Sequence, residues 1–432
     1  MEEVAIISGV RTPIGRYMGC LRDVLAYDLG ALVLNEAVKR AKVEPASVDE
    51  VIMGQCYQSG EYVNIARMAL FIAGWPVEVT GITLDRRCCS GLDAVCFGGM
   101  QVQTGNAEIV VTGGVEHMSS AEFYIPGNEI KWGIGGKNEK GIVFSTKGET
   151  YPLGFMPRGH GATSMWGMPF YDRIARGRMM SQPVDRFGVL DAMMVWGDAA
   201  AKEENIPRED VDKWAEGSHR KAIAAIDSGK FKEEIVPVTV PQRRGEPLVI
   251  DTDETPRRDT SLESLAKLPS VLGGVSTAGN SSSENDGAAA CVLATKAKAR
   301  ELDVEPMAYF KSFAVAGADP FRTWEAVPMA VNKALKKAGL TIEQMDLIEI
   351  QEAFGGQLMA DVKELGLSPE DCEKKVNVNG SGISLGHPVG ATGAIRLVTL
   401  LHEMKRRNAK YGMETICGGG GLGICAVFER KK

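Results

Sequence analysis

Residues 86–92 read Arg-Arg-Cys-Cys-Ser-Gly-Leu, and they come where a strand pattern ends and an apolar helical pattern begins. A cysteine at the start of a helix feels the positive end of the helix dipole and nearby backbone N–H groups, which favour the nucleophilic thiolate. Ser90 and Gly91 would let a ligand approach the backbone closely. Two small buried residues would give the same local pattern, so this segment alone leaves a catalytic role and a packing role open for Cys88.

Strand and helix patterns alternate on both sides of this segment. In the first half we predict strands at residues 4–8, 51–55 and 107–112 and helices at residues 29–40, 64–73 and 88–103. After residue 306 we predict strands at residues 347–350, 413–417 and 423–429 and three helices. The first helix spans residues 327–338, the second begins at residue 353, and the third follows the glycine-rich turn at residues 380–393 and ends at residue 405. This alternation predicts an α/β protein with buried mixed or parallel strands. The second half repeats the style of the first, which suggests a duplication without a strict sequence repeat.

Composition limits the class of protein. The chain has 432 residues, 44% of them hydrophobic and 24% charged, which is typical of a globular protein of two or three domains. The net charge of -7 argues against nucleic acid as the main partner. Nine cysteines, an odd number and mostly isolated, predict a reducing compartment. No apolar run approaches the roughly 20 residues of a membrane helix, and the N-terminus does not resemble a signal peptide, so we predict a cytoplasmic protein.

Two glycine-rich segments carry further chemistry. Residues 379–393 contain His387, one of only five histidines, just before a predicted helix. A thiolate needs a base or a cationic partner, and histidine is the usual one near neutral pH. Residues 417–423 begin with Cys417 and continue with four glycines, whose N–H groups could stabilise an oxyanion. Each segment alone also fits a structural histidine or a plain tight turn.

Two other segments are predicted to be structural. Residues 113–119 are expected to form a glycine turn after a strand, in which Glu116 and His117 have structural roles. Residues 242–258 are rich in acidic and basic side chains, and we expect an exposed connection there.

The segments at residues 86–92, 113–119, 379–393 and 417–423, taken in chain order, resemble motifs of the thiolase family. This family includes acetyl-CoA acetyltransferases and 3-oxoacyl-CoA thiolases. Residues 10–15 resemble the family's N-terminal signature, and residues 276–288 resemble its central asparagine-rich segment. Residues 351–354 read Gln-Glu-Ala-Phe where the family usually has Asn-Glu-Ala-Phe. The resemblance covers nearly the whole chain except about residues 120–190, and seven motifs in register make it specific.

The resemblance implies a duplicated thiolase fold, a five-layer α/β/α/β/α arrangement with mixed sheets and a large inserted loop domain. Residues 1–119 with about 276–305 would form the N-terminal half, which carries the nucleophile. Residues 120–275 would form the inserted domain for the acyl pocket, CoA contacts and oligomerisation. Residues 306–432 would form the C-terminal half with the histidine and the second cysteine.

The resemblance also implies catalytic roles. Cys88 would take the acyl group as a thioester, His387 would deprotonate it, and Cys417 would move the proton on the substrate carbon. The backbone N–H groups of Cys88 and Gly419 would form one oxyanion hole. His387 and a water held by Gln351 would form the other.

CoA is then a substrate, with no bound cofactor and no metal expected. Ser282 would lie along its pantetheine arm. No cysteine or histidine cluster has zinc-ligand spacing, and no phosphate-binding loop or dinucleotide fingerprint is present.

The sequence departs from the family's pattern around the acyl pocket. Gln351 is one methylene longer than the usual asparagine. Ala192 stands where many biosynthetic members have histidine, and Met194 and Trp196 replace glycine and threonine. The region before this helix is long and contains Tyr151, Phe155, Trp166, Phe170 and Tyr171. One interpretation is a divergent oligomerisation loop; the other is a pocket for a bulky, branched, aromatic or dicarboxylic acyl group.

Three functions compete. The first is a thiolase that cleaves a 3-oxoacyl-CoA or condenses two acyl-CoAs, with acetoacetyl-CoA as the alternative substrate. A decarboxylating condensing enzyme is the second, but the late Cys417 motif favours a thiolase. The third is a non-catalytic acyl-CoA-binding subunit. The family further implies a homodimer or tetramer, and a small companion subunit accompanies some divergent members.

Overall fold

The computed structural model describes residues 2–125, 142–144, 150–152, 162–165, 168–190, 192–242 and 244–431. The strands are β1 Val4–Arg11, β2 Gly15–Arg16, β3 Glu50–Gly54, β4 Thr80–Leu84, β5 Ile109–His117, β6 Phe123–Tyr124, β7 Ile142–Phe144, β8 Thr150–Pro152, β9 Ala162–Met165, β10 Met168–Asp172, β11 Val238–Val240, β12 Leu248–Ile250, β13 Asn285–Thr295, β14 Ala308–Gly317, β15 Leu347–Ile350, β16 Tyr411–Gly418 and β17 Leu422–Glu429. The helices are α1 Ala26–Arg40, α2 Ile65–Ile72, α3 Ser90–Gln103, α4 Arg173–Met179, α5 Val184–Phe187, α6 Val195–Glu203, α7 Arg208–Asp227, α8 Leu262–Ala266, α9 Lys296–Glu301, α10 Ala326–Ala338, α11 Gly355–Glu364, α12 Pro369–Lys374, α13 Gly382–Leu385 and α14 Thr392–Arg407.

A large mixed sheet runs through the molecule in the order β15-β16-β17-β14-β1-β13-β5-β3-β4, with β2 attached to β13. The run β3-β5-β13-β1 has the same parallel and antiparallel steps as the run β15-β16-β17-β14. In addition, β4 lies parallel to β3, and an isolated parallel bridge joins Ile348 to Val376 at the equivalent place beside β15. The suggested duplication of element order is therefore present in the sheet.

Alternating side chains divide the sheet's surroundings into layers. Val4 and Ile6 of β1 face a central core that contains the apolar side chains of α3 and α14. Ala5 and Ile7, on the opposite face, pack with α1 and α2. The outer face of the C-terminal strands packs in the same way against α10 and α11. Because strand side chains alternate with a period of two, each half buries both faces, and the predicted five-layer arrangement is confirmed.

Glycine allows the two central helices to approach closely. A Cβ atom on Gly91 of α3 would lie 2.7 Å from the backbone N of Ala394 in α14 and 3.0 Å from the carbonyl oxygen of Gly390. A larger residue would therefore force these backbones apart. Both helices begin at the same region of the molecule, just after Cys88 in one half and just after His387 in the other.

The segment of residues 113–119 differs from the prediction of a glycine turn. It continues strand β5, and Gly113 and Gly114 pair with Ala290 and Ala289 of β13. A Cβ on Gly113 would lie 2.1 Å from the carbonyl oxygen of Ala289. The glycines are thus explained by close backbone approach within the sheet.

The prediction that residues 242–258 form an exposed connection is wrong for part of that segment. Asp253 is buried, and its carboxylate accepts hydrogen bonds from Arg11 Nη1 at 2.7 Å and Nη2 at 2.9 Å. Arg11 also donates from Nε to Glu234 at 2.7 Å. This buried arginine with two carboxylates fixes the inserted region to the end of β1, because each buried charge needs its partner.

Candidate active site

A cavity of about 430 Å³ is lined by residues that fall within the ranges 56–118, 175–196, 278–284 and 353–419. Its lining includes, among the predicted site residues, Cys88, His387, Cys417, Gly419, Ser282, Met194 and Trp196. Ala192, which stands at the family's histidine position, lines it too. The cavity therefore collects side chains that lie more than 300 positions apart in the chain. Gln351 does not line it.

Cys88 lies on a tight turn that leads into α3. The backbone N of Cys89 donates to the carbonyl of Arg86 at 3.1 Å, and Ser90 N donates to the carbonyl of Arg87 at 3.0 Å. Arg87 has a φ of 54°, in the left-handed region that residues other than glycine seldom adopt. Such strained backbone is concentrated at functional sites, and here it holds the cysteine at the cavity wall.

Burial decides the protonation state of Cys88. It raises the pKa of the thiol to about 11, although hydrogen bonds from the backbone N–H groups of Gly419 and of Cys88 itself, and the nearby Arg87, lower it. The expectation that the helix start favours a thiolate is therefore outweighed by desolvation. At neutral pH Cys88 is a thiol, and it needs a base to become a nucleophile.

His387 is held in one orientation by its neighbours. Its Nδ1 lies 2.7 Å from Thr392 Oγ1, and that hydroxyl donates to the carbonyl of Pro388 at 2.9 Å. Because Thr392 has a single hydroxyl proton, we assign the ring proton to Nδ1, which leaves the lone pair on Nε2. The backbone N of His387 donates to Asn285 Oδ1 at 2.8 Å. Burial and the positive charges of Arg396 and Arg178 lower the pKa of His387 to about 3, so the imidazole is neutral.

Cys417 lies near the end of β16, and Gly419 follows in the turn between β16 and β17. Burial raises the pKa of Cys417 well above its usual value, and the neighbouring Cys88 adds to the effect. Beside this turn, a Cβ on Gly419 would lie 3.2 Å from Met193 Cε and 3.5 Å from Trp196 Cη2. The tips of these two side chains therefore border the N–H group that contacts the Cys88 sulfur.

Gln351 is buried behind the cavity wall, whose surface at this point is formed by Ala353 and Phe354. Its Oε1 lies 3.4 Å from Arg396 Nε, and its Nε2 has no hydrogen-bond partner among the described residues. Its predicted role in holding a water stays a prediction.

The predicted aromatic contribution to the pocket is limited. Phe155 and Trp166 lie outside the described residues. Of those with described side chains, neither Phe170 nor Tyr171 lines the cavity, and Tyr171 is buried under the guanidinium of Arg176, 4.5 Å from the ring centre. Met193, Met194, Leu190, Phe354 and Trp196 supply the apolar surface instead.

Sequence reasoning missed one charged contact at the cavity. Arg178 and Glu284 both line it and form an ion pair of 2.6 Å. No motif marked Arg178, because α4 lies in the region without clear periodicity. Glu116, predicted to be structural, accepts hydrogen bonds from the backbone N–H groups of Cys56 at 2.9 Å, Tyr57 at 3.1 Å and Gly390 at 2.7 Å. It thereby joins loops of the two halves at the cavity, and burial raises its pKa to about 7.

Neither a metal site nor a membrane-spanning helix is found among the described residues. Within the residues that the structure describes, no group of three or more histidine, cysteine, aspartate or glutamate side chains could hold a metal ion. No helix in the same part of the chain is both long and apolar enough to span a bilayer.

Family comparisons cover almost the whole chain. The N-terminal domain model of thiolase matches residues 4–297, and the C-terminal domain model matches residues 304–430. The chain is 39% identical over 437 residues to an acetyl-CoA acetyltransferase of Pseudomonas aeruginosa, covering 100% of both proteins. It is 38% identical over 434 residues to a beta-ketoadipyl-CoA thiolase of Acinetobacter baylyi, again covering 100% of both.

The fold agrees with these matches. The crystal structure of the Bacillus anthracis acetyl-CoA acetyltransferase superposes with a TM-score of 0.87 at 39% identity, covering 99% of each chain. The recognition made from the motifs is thus confirmed. The chain belongs to the thiolase family and is a CoA-dependent acyltransferase.

Proposed function

We propose that this thiolase cleaves a 3-oxoacyl-CoA with CoA, or catalyses the reverse Claisen condensation, through a thioester on Cys88. The observation that carries the proposal is the meeting of Cys88, His387, Cys417 and Gly419 at one cavity. A neutral imidazole beside a neutral thiol suits this chemistry, because the base is free to accept the thiol proton when substrate arrives.

In the first half-reaction, His387 Nε2 takes the proton of Cys88, and the sulfur attacks C3 of the 3-oxoacyl-CoA. The N–H groups of Cys88 and Gly419 stabilise the resulting oxyanion. The bond between C2 and C3 then breaks, its electron pair passes to the acetyl-CoA enolate, and Cys417 protonates C2. In the second half-reaction, the CoA thiol gives its proton to Cys417 and attacks the Cys88 thioester. Acyl-CoA is released, and the Cys88 thiolate that leaves takes its proton back from His387.

Replacing Cys88 tests the covalent step. We expect Cys88→Ser to abolish turnover and the acyl adduct, because a serine hydroxyl is a far weaker nucleophile at neutral pH. Mass spectrometry of the protein after incubation with acyl-CoA measures the adduct. Cys89→Ala is the matched control, since Cys89 is adjacent, fully buried and absent from the cavity lining. Normal acylation of Cys88→Ser would contradict the proposal.

We place the phosphorylated end of CoA in a second cavity of about 610 Å³. It shares Ala278, Ser281, Ser283 and Glu284 with the catalytic cavity, so the two form one groove past Ser282. Arg16 and Arg257 supply positive charge in its lining. Guanidinium groups are well suited to phosphate because they donate paired hydrogen bonds.

Substitution of Arg257 tests this placement. We expect Arg257→Gln to raise KM for CoA by roughly 10- to 100-fold with little change in kcat, the size of one lost charge-assisted contact. Steady-state rates are measured with CoA and with pantetheine, which lacks the nucleotide phosphates. Loss of a phosphate contact raises KM for CoA alone, whereas a general defect affects both thiols. An equal loss with both thiols would sink the placement. Arg258→Gln is the control, because the Arg258 side chain is exposed and pairs with Asp227.

For the acyl group, we propose a 3-oxoacyl-CoA larger than acetoacetyl-CoA, with an aromatic or dicarboxylic acyl part. Ala192 leaves space where a histidine would stand, apolar side chains surround it, and Arg178 offers a cation. Acetoacetyl-CoA is the second candidate. It is favoured by Met193 and Trp196, whose tips crowd Gly419, and by the names of several relatives.

A panel of substrates decides between the two. We expect kcat/KM for 3-oxoadipyl-CoA or an aromatic 3-oxoacyl-CoA to exceed that for acetoacetyl-CoA by at least about tenfold, since filling an apolar pocket with several methylene-sized groups contributes that much discrimination. If acetoacetyl-CoA has the highest kcat/KM, the larger acyl group is wrong and the second candidate stands.

We also propose that the chain forms a homodimer, or a tetramer built from two such dimers, through β4. Among the described strands, β4 pairs only with β3, and its other edge is open. Exposed apolar side chains surround it at Phe71, Ile72, Val77 and Ile82. A long open edge of this kind is normally covered by another chain.

The native mass tests the assembly. We expect Ile82→Lys to lower the mass measured by light scattering to that of the monomer, because a charge would be buried at the shared edge. Val249→Lys, at an exposed apolar position on β12, should leave the mass unchanged. A monomeric unaltered chain would refute the proposal.

A further inference from the structure

A cluster of buried polar side chains lies behind the catalytic cavity. It consists of Glu349 on β15, Gln351 just after that strand, Arg396 on α14 and Glu414 on β16, each 3% exposed or less. Within the described part of the chain, no hydrogen-bond partner is found for Glu349 Oε2, Gln351 Nε2, Arg396 Nη1 and both carboxylate oxygens of Glu414. Unsatisfied buried polar groups are costly, and a group of them calls for a functional explanation.

Arg396 joins this cluster to the active-site loop. Its Nη2 donates to the carbonyl of Gly386 at 2.7 Å, and Gly386 precedes His387. Its Nε makes a longer contact of 3.4 Å with Gln351 Oε1. One guanidinium therefore reaches both components of the proposed second oxyanion hole.

The contact with Arg396 fixes which way the Gln351 amide points. Arginine has only donors, so the amide must turn its oxygen towards Arg396 and its Nε2 away. On the other side, Nε2 packs against Gly382, where a Cβ atom would lie only 2.4 Å from it.

Two buried carboxyl groups lie near Arg396, and burial raises the pKa of both above the usual value. Glu349 and Glu414 are neighbours across the parallel pair β15 and β16, on the strand faces that pack on the central core. Burial lowers the pKa of Arg396, and the negative potential of Glu349 opposes that effect. Arg396 itself lowers the pKa of Glu349, which burial raises to about 8.

We infer that Arg396 is a positioning residue for the thioester enolate. Through Gln351 it presents an N–H group to a water, whose own protons are then free to donate to the enolate oxygen. Through Gly386 it fixes the loop that carries His387, whose Nε2 becomes the other donor after it has taken the proton of Cys88. The inference rests on the proposed function. Once acetyl-CoA has acylated Cys88 and the departing CoA thiolate has taken the proton of Cys417, the Cys417 thiolate removes the proton from the α-carbon of a second acetyl-CoA. The electron pair moves onto the thioester oxygen, and return of a proton to the carbon reverses the step.

The half-reactions separate positioning from a general structural role. For Arg396→Met we expect solvent deuterium to exchange into the α-carbon of acetyl-CoA about 10- to 100-fold more slowly, as is typical when a catalytic group is misplaced. The rate of Cys88 acylation, measured by mass spectrometry, should stay within about threefold of the rate of the unaltered enzyme, because this step uses the other oxyanion hole. Arg406→Met, on the exposed last turn of the same helix, is the control. An equal loss of acylation and exchange, or an unchanged exchange rate, would overturn the inference.

A double substitution tests whether Arg396 acts through the amide. We expect Gln351→Met to slow exchange, and adding Arg396→Met to it should slow exchange by no more than about threefold further, since residues in one chain of contacts are not additive. Independent, multiplicative effects would overturn the link to Gln351.

The Arg396→Lys variant distinguishes a positioning role of Arg396 from a folding defect. It keeps the charge and can reach Gly386, but one ammonium group cannot also orient the amide, so exchange should be slowed with acylation retained. Full exchange activity in this variant would contradict the inference. Absence of an acyl adduct on Cys88 in the unaltered enzyme would instead contradict the proposed function, so the two failures are distinguishable.

Discussion

The close packing of the two central helices is the constraint on which the rest of the structure depends. Gly91 on α3 leaves no room for a side chain beside the backbone of Ala394 on α14. Because both helices begin at the same place, the turn before α3 brings Cys88 to the cavity and the loop before α14 brings His387. Glu116 reinforces this junction by accepting hydrogen bonds from backbone N–H groups in a loop of each half. A duplicated fold thus creates one site from two helix starts.

Burial, more than any pair of charges, sets the chemistry of the site. It holds Cys88 and Cys417 as thiols and His387 as a neutral imidazole, so the three reacting side chains are uncharged in the resting site. Proton transfer then takes place within the substrate complex, where the donors of Cys88 and Gly419 are already oriented. Behind the wall, Arg396 is the one buried cation that contacts both the His387 loop and the Gln351 amide among the residues described.

Much of the fold could be predicted because its signals are local. The strand at residues 347–350 was predicted with its exact bounds, and the helix predicted at 327–338 begins one residue earlier. The region of residues 113–119 was wrongly predicted as a turn, since glycines that fit against Ala289 in a neighbouring strand look the same in sequence as glycines of a turn. Arg178 was missed because nothing in its local pattern reveals the distant Glu284 that it pairs with.

By itself, the sequence determined which reactive side chains this thiolase has and the order of strands and helices that carries them, because residue types, spacing and periodicity are properties of short segments. Only the tertiary structure decided their states and their neighbours. Cys88 was expected to be a thiolate from its place before a helix, and it is a thiol because desolvation depends on everything packed around it. Asp253 was expected to be exposed, and it is buried because Arg11, 242 positions away, supplies its charge partner. Contacts across such distances arise from packing, which no local pattern specifies.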